Sequence, residues 1–131
     1  MNVFFDVDYT ILSFDRTLRP HTREVFEDLI ARGHRVYVWS GAGDRTSELE
    51  ELGLLSLLSG VFIKPIAVFD KGLIDLGVPV RPDFVIDDHP DIVKHFGGLV
   101  VSPYDNRLSS DSELLMVLPR IACLDEPEGE G

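Results

Sequence analysis

Asp6 and Asp8 stand one residue apart in Asp6-Val7-Asp8-Tyr9-Thr10, directly after the apolar run Val3-Phe4-Phe5. Two carboxylates at close range repel each other, and burial at the end of a core strand raises that cost unless a cation, a metal or a shared proton offsets it. Such a pair therefore points to chemistry more than to folding. The construction recurs twice, where Val36-Tyr37-Val38-Trp39 leads into Ser40-Gly41 and where Phe84-Val85-Ile86 leads into Asp87-Asp88. Asp6, Asp87 and Asp88, with the backbone carbonyl of Asp8, offer hard oxygen ligands of the kind Mg²⁺ takes, and that metal would answer the like-charge problem.

Groups at the ends of three apolar runs meet only if the runs are neighbouring strands that point the same way. In an open parallel sheet, ligands bind at the carboxyl ends of the strands, so strands one, two and four would bring these residues to one crevice. The intervening segments fit. Thr22 to Gly33 carries Val25, Phe26, Leu29 and Ile30 on one helical face, with Thr22 placed to cap its start and Gly33 to end it. The spacing further predicts a helix over 44–52, a short third strand over 61–63, a brief helix over 70–76 and a fourth strand over 83–86. A helix over 90–96 then stops at Gly97-Gly98 before a fifth strand over 99–102. Ser110 and Glu113 have the spacing of a capping box before a last apolar helix. The alternation implies an α/β fold, a doubly wound parallel sheet of about five strands with helices on both faces. One core domain is expected over 1–122, followed by an acidic, flexible tail over 123–131.

Asp6-x-Asp8-x-Thr10, a strand ending in Ser40 and the pair Asp87-Asp88 occur in the order and at the spacing of the haloacid dehalogenase-like superfamily, which the chain resembles over roughly residues 1–105. The familiar first motif has Gly where this chain has Tyr9. The resemblance implies a Mg²⁺-dependent phosphomonoester hydrolase. Asp6 would be the nucleophile that becomes an aspartyl phosphate, and Asp8 the group that protonates the leaving oxygen and then activates water. Ser40, with the Gly41 N–H, would hydrogen-bond the phosphoryl group, and Thr10 would order the loop on the substrate side. Asp6, Asp8, Asp87 and Asp88 would hold the metal.

The third motif of that family is a lysine that neutralises phosphoryl group and nucleophile. Lys71, in Asp70-Lys71-Gly72-Leu73, has a spacing to Asp87 like that of lidless phosphatases acting on protein carboxyl-terminal repeats. Lys64, in Ile63-Lys64-Pro65, looks like the Lys-Pro of the phosphoglycolate phosphatase branch. Spacing favours Lys71 as catalytic and leaves Lys64 as a substrate-side or surface lysine. Arg16, Arg19 and Arg45 are candidates for a second anionic group, and His89 for contact with metal or substrate. Trp39 should alternate away from the site into the core.

The whole chain has 131 residues, 23 acidic and 12 basic side chains and a formal charge of -11. That balance repels nucleic-acid phosphates, and no Lys/Arg cluster overrides it. A single cysteine, Cys123, excludes an intrachain disulfide. No apolar stretch is long enough to span a bilayer, so a soluble, cytoplasmic protein is expected. The short connections after Thr10 and between Ser40 and Lys71 resemble members without a cap domain. That openness suits a bulky phosphorylated substrate, or a homo-oligomer whose neighbouring subunit supplies a lid. A catalytically silent module for metal binding or protein interaction is the alternative. Dehalogenase chemistry needs no general acid at Asp8, and a receiver domain has its acidic pair before the phosphoacceptor, the reverse of the order here.

Overall fold

The computed structural model of the protein describes residues 1–106 and 110–125. Five strands, β1 (Asn2–Asp6), β2 (Arg35–Ser40), β3 (Gly60–Ile63), β4 (Phe84–Asp87) and β5 (Gly98–Val100), form one sheet in the order β3-β2-β1-β4-β5. All pairings are parallel, with Phe5 opposite both Val38 and Ile86. Connections run from β1 outward to both edges, so the strand order reverses beside β1. The crevice of such a sheet opens there, at the carboxyl ends of β1 and β4.

The central strands are apolar on both faces because helices cover both. Val3 and Phe5 of β1 join a core with Val25, Phe26 and Leu29 of α1 (Thr22–Ala31), Leu49 of α2 (Thr46–Glu51) and Val117 and Ile121 of α5 (Val117–Asp125). Phe4 points the other way, toward Leu73 of α3 (Phe69–Asp75) and Ile92 and Val93 of α4 (Pro90–Phe96). The period of two along β1 thus divides one strand between two cores. Trp39 belongs to the second core and stacks obliquely on Phe4, with centroids 4.5 Å apart.

Helix ends differ in detail from the expectations. Thr22 is already helical, and its hydroxyl donates to the Arg19 carbonyl at 2.8 Å instead of capping, while His21 occupies the N-cap with φ 72°. At the other end Gly33, φ 91°, donates to Ile30 and His34 donates to Leu29, both at 3.0 Å, which is a Schellman closure. Ile30, placed on the apolar face by periodicity, is exposed. The Ser110 capping box does not form. The Glu113 N–H donates to Asp111 at 3.2 Å, and the Glu113 side chain goes to Arg19 and to Ser102. α5 continues through residue 125 and so takes in residues 123–125 of the expected tail, whose remainder from 126 on lies outside the described residues. Among the described residues, no helix is long and apolar enough to cross a membrane.

Gly98 marks where β5 meets β4. Its φ is +151°, and a Cβ there would land on the carbonyl and amide of Val85, backbone atoms of a central strand that cannot yield. Gly98→Ala is therefore expected to destabilise the fold by about 3 kcal/mol or more, read as a lower urea midpoint at unchanged slope.

Candidate active site

β1 ends at Asp6 and β4 ends at Asp87, adjacent strands in register, so their terminal carboxylates emerge side by side. Asp6 is nearly and Asp87 completely buried. Lys64 follows β3, and its N–H donates to the Ser40 carbonyl at 3.0 Å, continuing the β2 ladder by one residue. This extension carries its side chain over the sheet end. Lys64 Nζ donates to Asp6 Oδ1 at 3.1 Å and to Asp87 Oδ2 at 2.9 Å, with the lysine itself buried.

Asp88 and His89 complete the acidic end of β4. Ligand atoms of Asp6, Asp87, Asp88 and His89 all lie within 4.8 Å of one another. Thr10, fully buried, places its hydroxyl 3.2 Å from Asp6 Oδ2 and 3.4 Å from Asp88 Oδ1. That hydroxyl is engaged by carboxylates, so Thr10 braces the cluster and the loop after β1. The His89 N–H donates to Asp87 Oδ1 at 2.9 Å, and its ring Nδ1 is 3.3 Å from both Asp87 and Asp88.

Two carboxylates, Asp6 and Asp87, share one ammonium here, and Asp88 adds a third negative group beside them. Burial and the neighbouring Asp87 charge push the Asp6 carboxyl up to about 7, with Lys64 pulling only partly against them. Burial opposes the charge of Lys64 as well, but Asp6 and Asp87 outweigh it and hold the lysine above its ordinary value. The crowded carboxylates contribute to both shifts, beside the burial that dominates at Asp6, and a divalent cation would balance their charge. The donor set fits such an ion. It consists of three carboxylates and the His89 ring, and carboxylate oxygens are hard ligands.

Lys71, favoured on spacing, does not reach this cluster. It lies on the outer side of α3, its side chain 73% exposed, and pairs with Asp75 one helical turn on at 3.4 Å. Sequence distance to Asp87 says nothing about which helix face a lysine occupies, and a residue just past a strand end is held over the crevice by the sheet itself.

The second carboxylate of the first motif turns elsewhere. Asp8, its side chain 46% exposed, accepts from Arg45 Nη1 at 2.8 Å, and the same nitrogen donates to Ser40 Oγ at 3.2 Å. Ser40 Oγ also accepts the Ala42 N–H at 3.1 Å, and Gly41 lies exposed beside it. Glu48 holds the rest of the Arg45 guanidinium and also pairs with Arg16 at 2.9 Å. Of the three candidate arginines, Arg45 is the one that bonds the side chains of expected site residues, Asp8 and Ser40.

Arg19 has another task. It is wholly buried, donating to Thr10 O at 3.1 Å, to both carboxylate oxygens of Asp111 at 2.9 Å and to Glu113 at 2.7 Å. Its guanidinium lies 5.4 Å from the Tyr104 ring centroid, and the Tyr104 N–H donates to the Tyr9 carbonyl at 2.7 Å. The C-terminal segment thus fixes the loop after β1 from behind. Nothing local in the sequence around Asp111, Glu113 or Tyr104 signals that support, because its partners are some 90 residues away.

No protein-family model matches the chain. Over 59 residues, 44% of this chain, the sequence is 37% identical to the Bacillus subtilis (strain 168) protein named "Putative phosphatase YkrA". The match takes in 23% of that protein, so the chain spans under a quarter of the length of the curated relative it matches.

Proposed function

We propose that the protein is a Mg²⁺-dependent phosphomonoester hydrolase of the haloacid dehalogenase-like type, working through an aspartyl phosphate on Asp6. The observation that carries this reading is the Lys64 ammonium bridging Asp6 and Asp87 at the ends of adjacent strands. A nucleophile, a charge partner and metal ligands are what transfer of an anionic phosphoryl group requires. The phosphatase name of the Bacillus subtilis relative agrees with it.

Asp6, Asp87 and Asp88 would hold the metal, which when bound neutralises excess charge and polarises a phosphoryl oxygen. An Asp6 carboxylate oxygen attacks phosphorus in line with the ester oxygen, forming the Asp6 acyl phosphate as the ester P–O bond breaks. Asp8 gives its proton to the departing oxygen, then takes one from the water that attacks phosphorus and releases Asp6. Lys64 offsets the charge of nucleophile and phosphoryl oxygens throughout. Ser40 Oγ accepts two hydrogen bonds among the described residues, which leaves its own O–H to donate to a phosphoryl oxygen. The phosphoryl anion would compete with Asp8 for Arg45 and free that carboxylate for acid-base work.

Phosphate release from a panel of monoesters tests the reading. Turnover is expected with Mg²⁺, is lost in chelator and returns when the metal is restored. The pairing of Asp8 with Arg45 supports one other reading, a metal-binding module whose acid-base residue is locked. Mg²⁺ binding by calorimetry with no turnover on any ester would decide for that module.

A further inference from the structure

Tyr9 replaces the familiar glycine of the first motif, and it does so at a backbone position that suits glycine. Its φ is 63°, in the left-handed region where a side chain bearing a Cβ is disfavoured by about 1 kcal/mol. The conformation is imposed from both sides. The Tyr9 N–H donates to Leu12 O at 2.7 Å and its carbonyl accepts from the Tyr104 N–H at 2.7 Å, bonds that glycine would make equally well. A tyrosine is therefore held at a cost to stability, and the residue is 43% exposed where a core role would bury it.

The ring has a companion and a setting. Tyr9, Phe14, Ser13 and Asp8 line one recess of about 270 Å³ at the crevice mouth. Phe14 is 76% exposed, and among the described residues neither ring stacks on another aromatic. A single exposed apolar side chain needs no explanation, but two rings sharing a recess with a carboxylate form an amphipathic surface. About 150 Å³ suffices for benzene, so the recess has room for an aromatic ring with a substituent.

We propose that Tyr9 and Phe14 form the leaving-group subsite, and that it selects phosphomonoesters of aromatic alcohols, including aryl side chains. The inference rests on the hydrolase reading above, in which Asp8 protonates the leaving oxygen. Whatever that oxygen belongs to must lie beside Asp8, and the apolar groups that line the recess with Asp8 are these two rings. The ester's aromatic ring packs against them while its phosphoryl group faces Lys64 and Ser40. A flat ring gains ring-to-ring contact in this recess that a short alkyl chain cannot.

Tyr9→Gly and Phe14→Ser test this in the full chain with Mg²⁺, measured as kcat/KM on phenyl phosphate and on ethyl phosphate. Glycine is at home at φ 63°, and residue 14 is exposed, so both variants fold, with a higher melting temperature expected for Tyr9→Gly. Each variant is expected to lower the phenyl-to-ethyl ratio of kcat/KM about tenfold relative to wild type. The same loss should appear in the ratio of inhibition constants for phenylphosphonate and methylphosphonate, which excludes an effect of leaving-group reactivity. Ratios unchanged within twofold in both variants would overturn the subsite while leaving the hydrolase reading intact. A wild type that turns over neither ester sinks the hydrolase reading instead. The recess is then judged by calorimetry with the two phosphonates, where equal affinities overturn it and tighter binding of phenylphosphonate, lost in Tyr9→Gly, supports it.

Discussion

Asp6→Asn is expected to lower phosphate release about 10⁴-fold or more while making the metal-free protein more stable at neutral pH. The loss follows from removing the proposed nucleophile, for which an amide is no substitute. The gain follows from linkage. Asp6 titrates near 7 in the folded chain against 3.8 as its ordinary value, so between those pH values the folded state holds the proton that the unfolded state has lost. Stability then falls as pH rises from about 4 to about 7, at up to about 1.4 kcal/mol per unit, and the deficit is complete above the folded pKa. The asparagine cannot ionise and is expected to lack this slope. Thermal melts in chelator across that range, beside phosphate assays with Mg²⁺, read both effects. A variant that loses activity and also melts lower at pH 7.5 would indicate damage to the fold, and a retained activity would remove Asp6 from the chemistry.

The second large effect separates two lysines. Lys64→Ala is expected to cost about 10²- to 10³-fold in kcat, as loss of a preorganised charge at the reacting group does. It also leaves Asp6 and Asp87 buried against each other without their ammonium, and breaking a buried pair in this way costs about 3–5 kcal/mol. Mg²⁺ should recover much of that stability, since a divalent ion supplies the missing charge, and little of the activity. Lys71→Ala is expected to change stability by less than about 0.5 kcal/mol and kcat by less than twofold, because its partner is a single exposed carboxylate on the same helix. Parallel denaturation curves and initial rates decide it. The reverse pattern would mean that the motif's lysine is Lys71 after all and that the crevice rearranges to receive it.

Much of the architecture was legible because strands buried on both faces must be apolar almost throughout. Val3 to Phe5, Val36 to Trp39 and Phe84 to Ile86 could hardly be anything else. The α4 boundaries, Pro90–Phe96, follow from Pro at the start and Gly97 at the end, residues whose backbone preferences act without reference to the rest of the fold. The helix caps were less legible. His21 takes the N-cap in a left-handed conformation and Thr22 turns its hydroxyl back to Arg19, because the buried guanidinium of Arg19 fixes that loop. Glu113 could have closed a local box with Ser110, yet a buried cation is a stronger partner than an exposed backbone N–H, and Arg19 and Ser102 claim it.

The sequence by itself determined where the acids would stand. Hydrophobic runs define strands, strands end where polarity begins, and Asp6, Asp8, Ser40, Asp87 and Asp88 sit at those junctions, so a parallel sheet gathers them at one edge. Only the tertiary structure decided which cation faces them and what the second carboxylate does. Those outcomes depend on strand order and on contacts between distant segments: β3 beside β2 delivers Lys64, the N-cap of α2 delivers Arg45 to Asp8, and Tyr104 holds Tyr9 in its left-handed turn. Strand ends are fixed by short-range hydrophobic patterning, whereas the pairing of charges across a crevice is fixed by which chain segments become neighbours when the core closes.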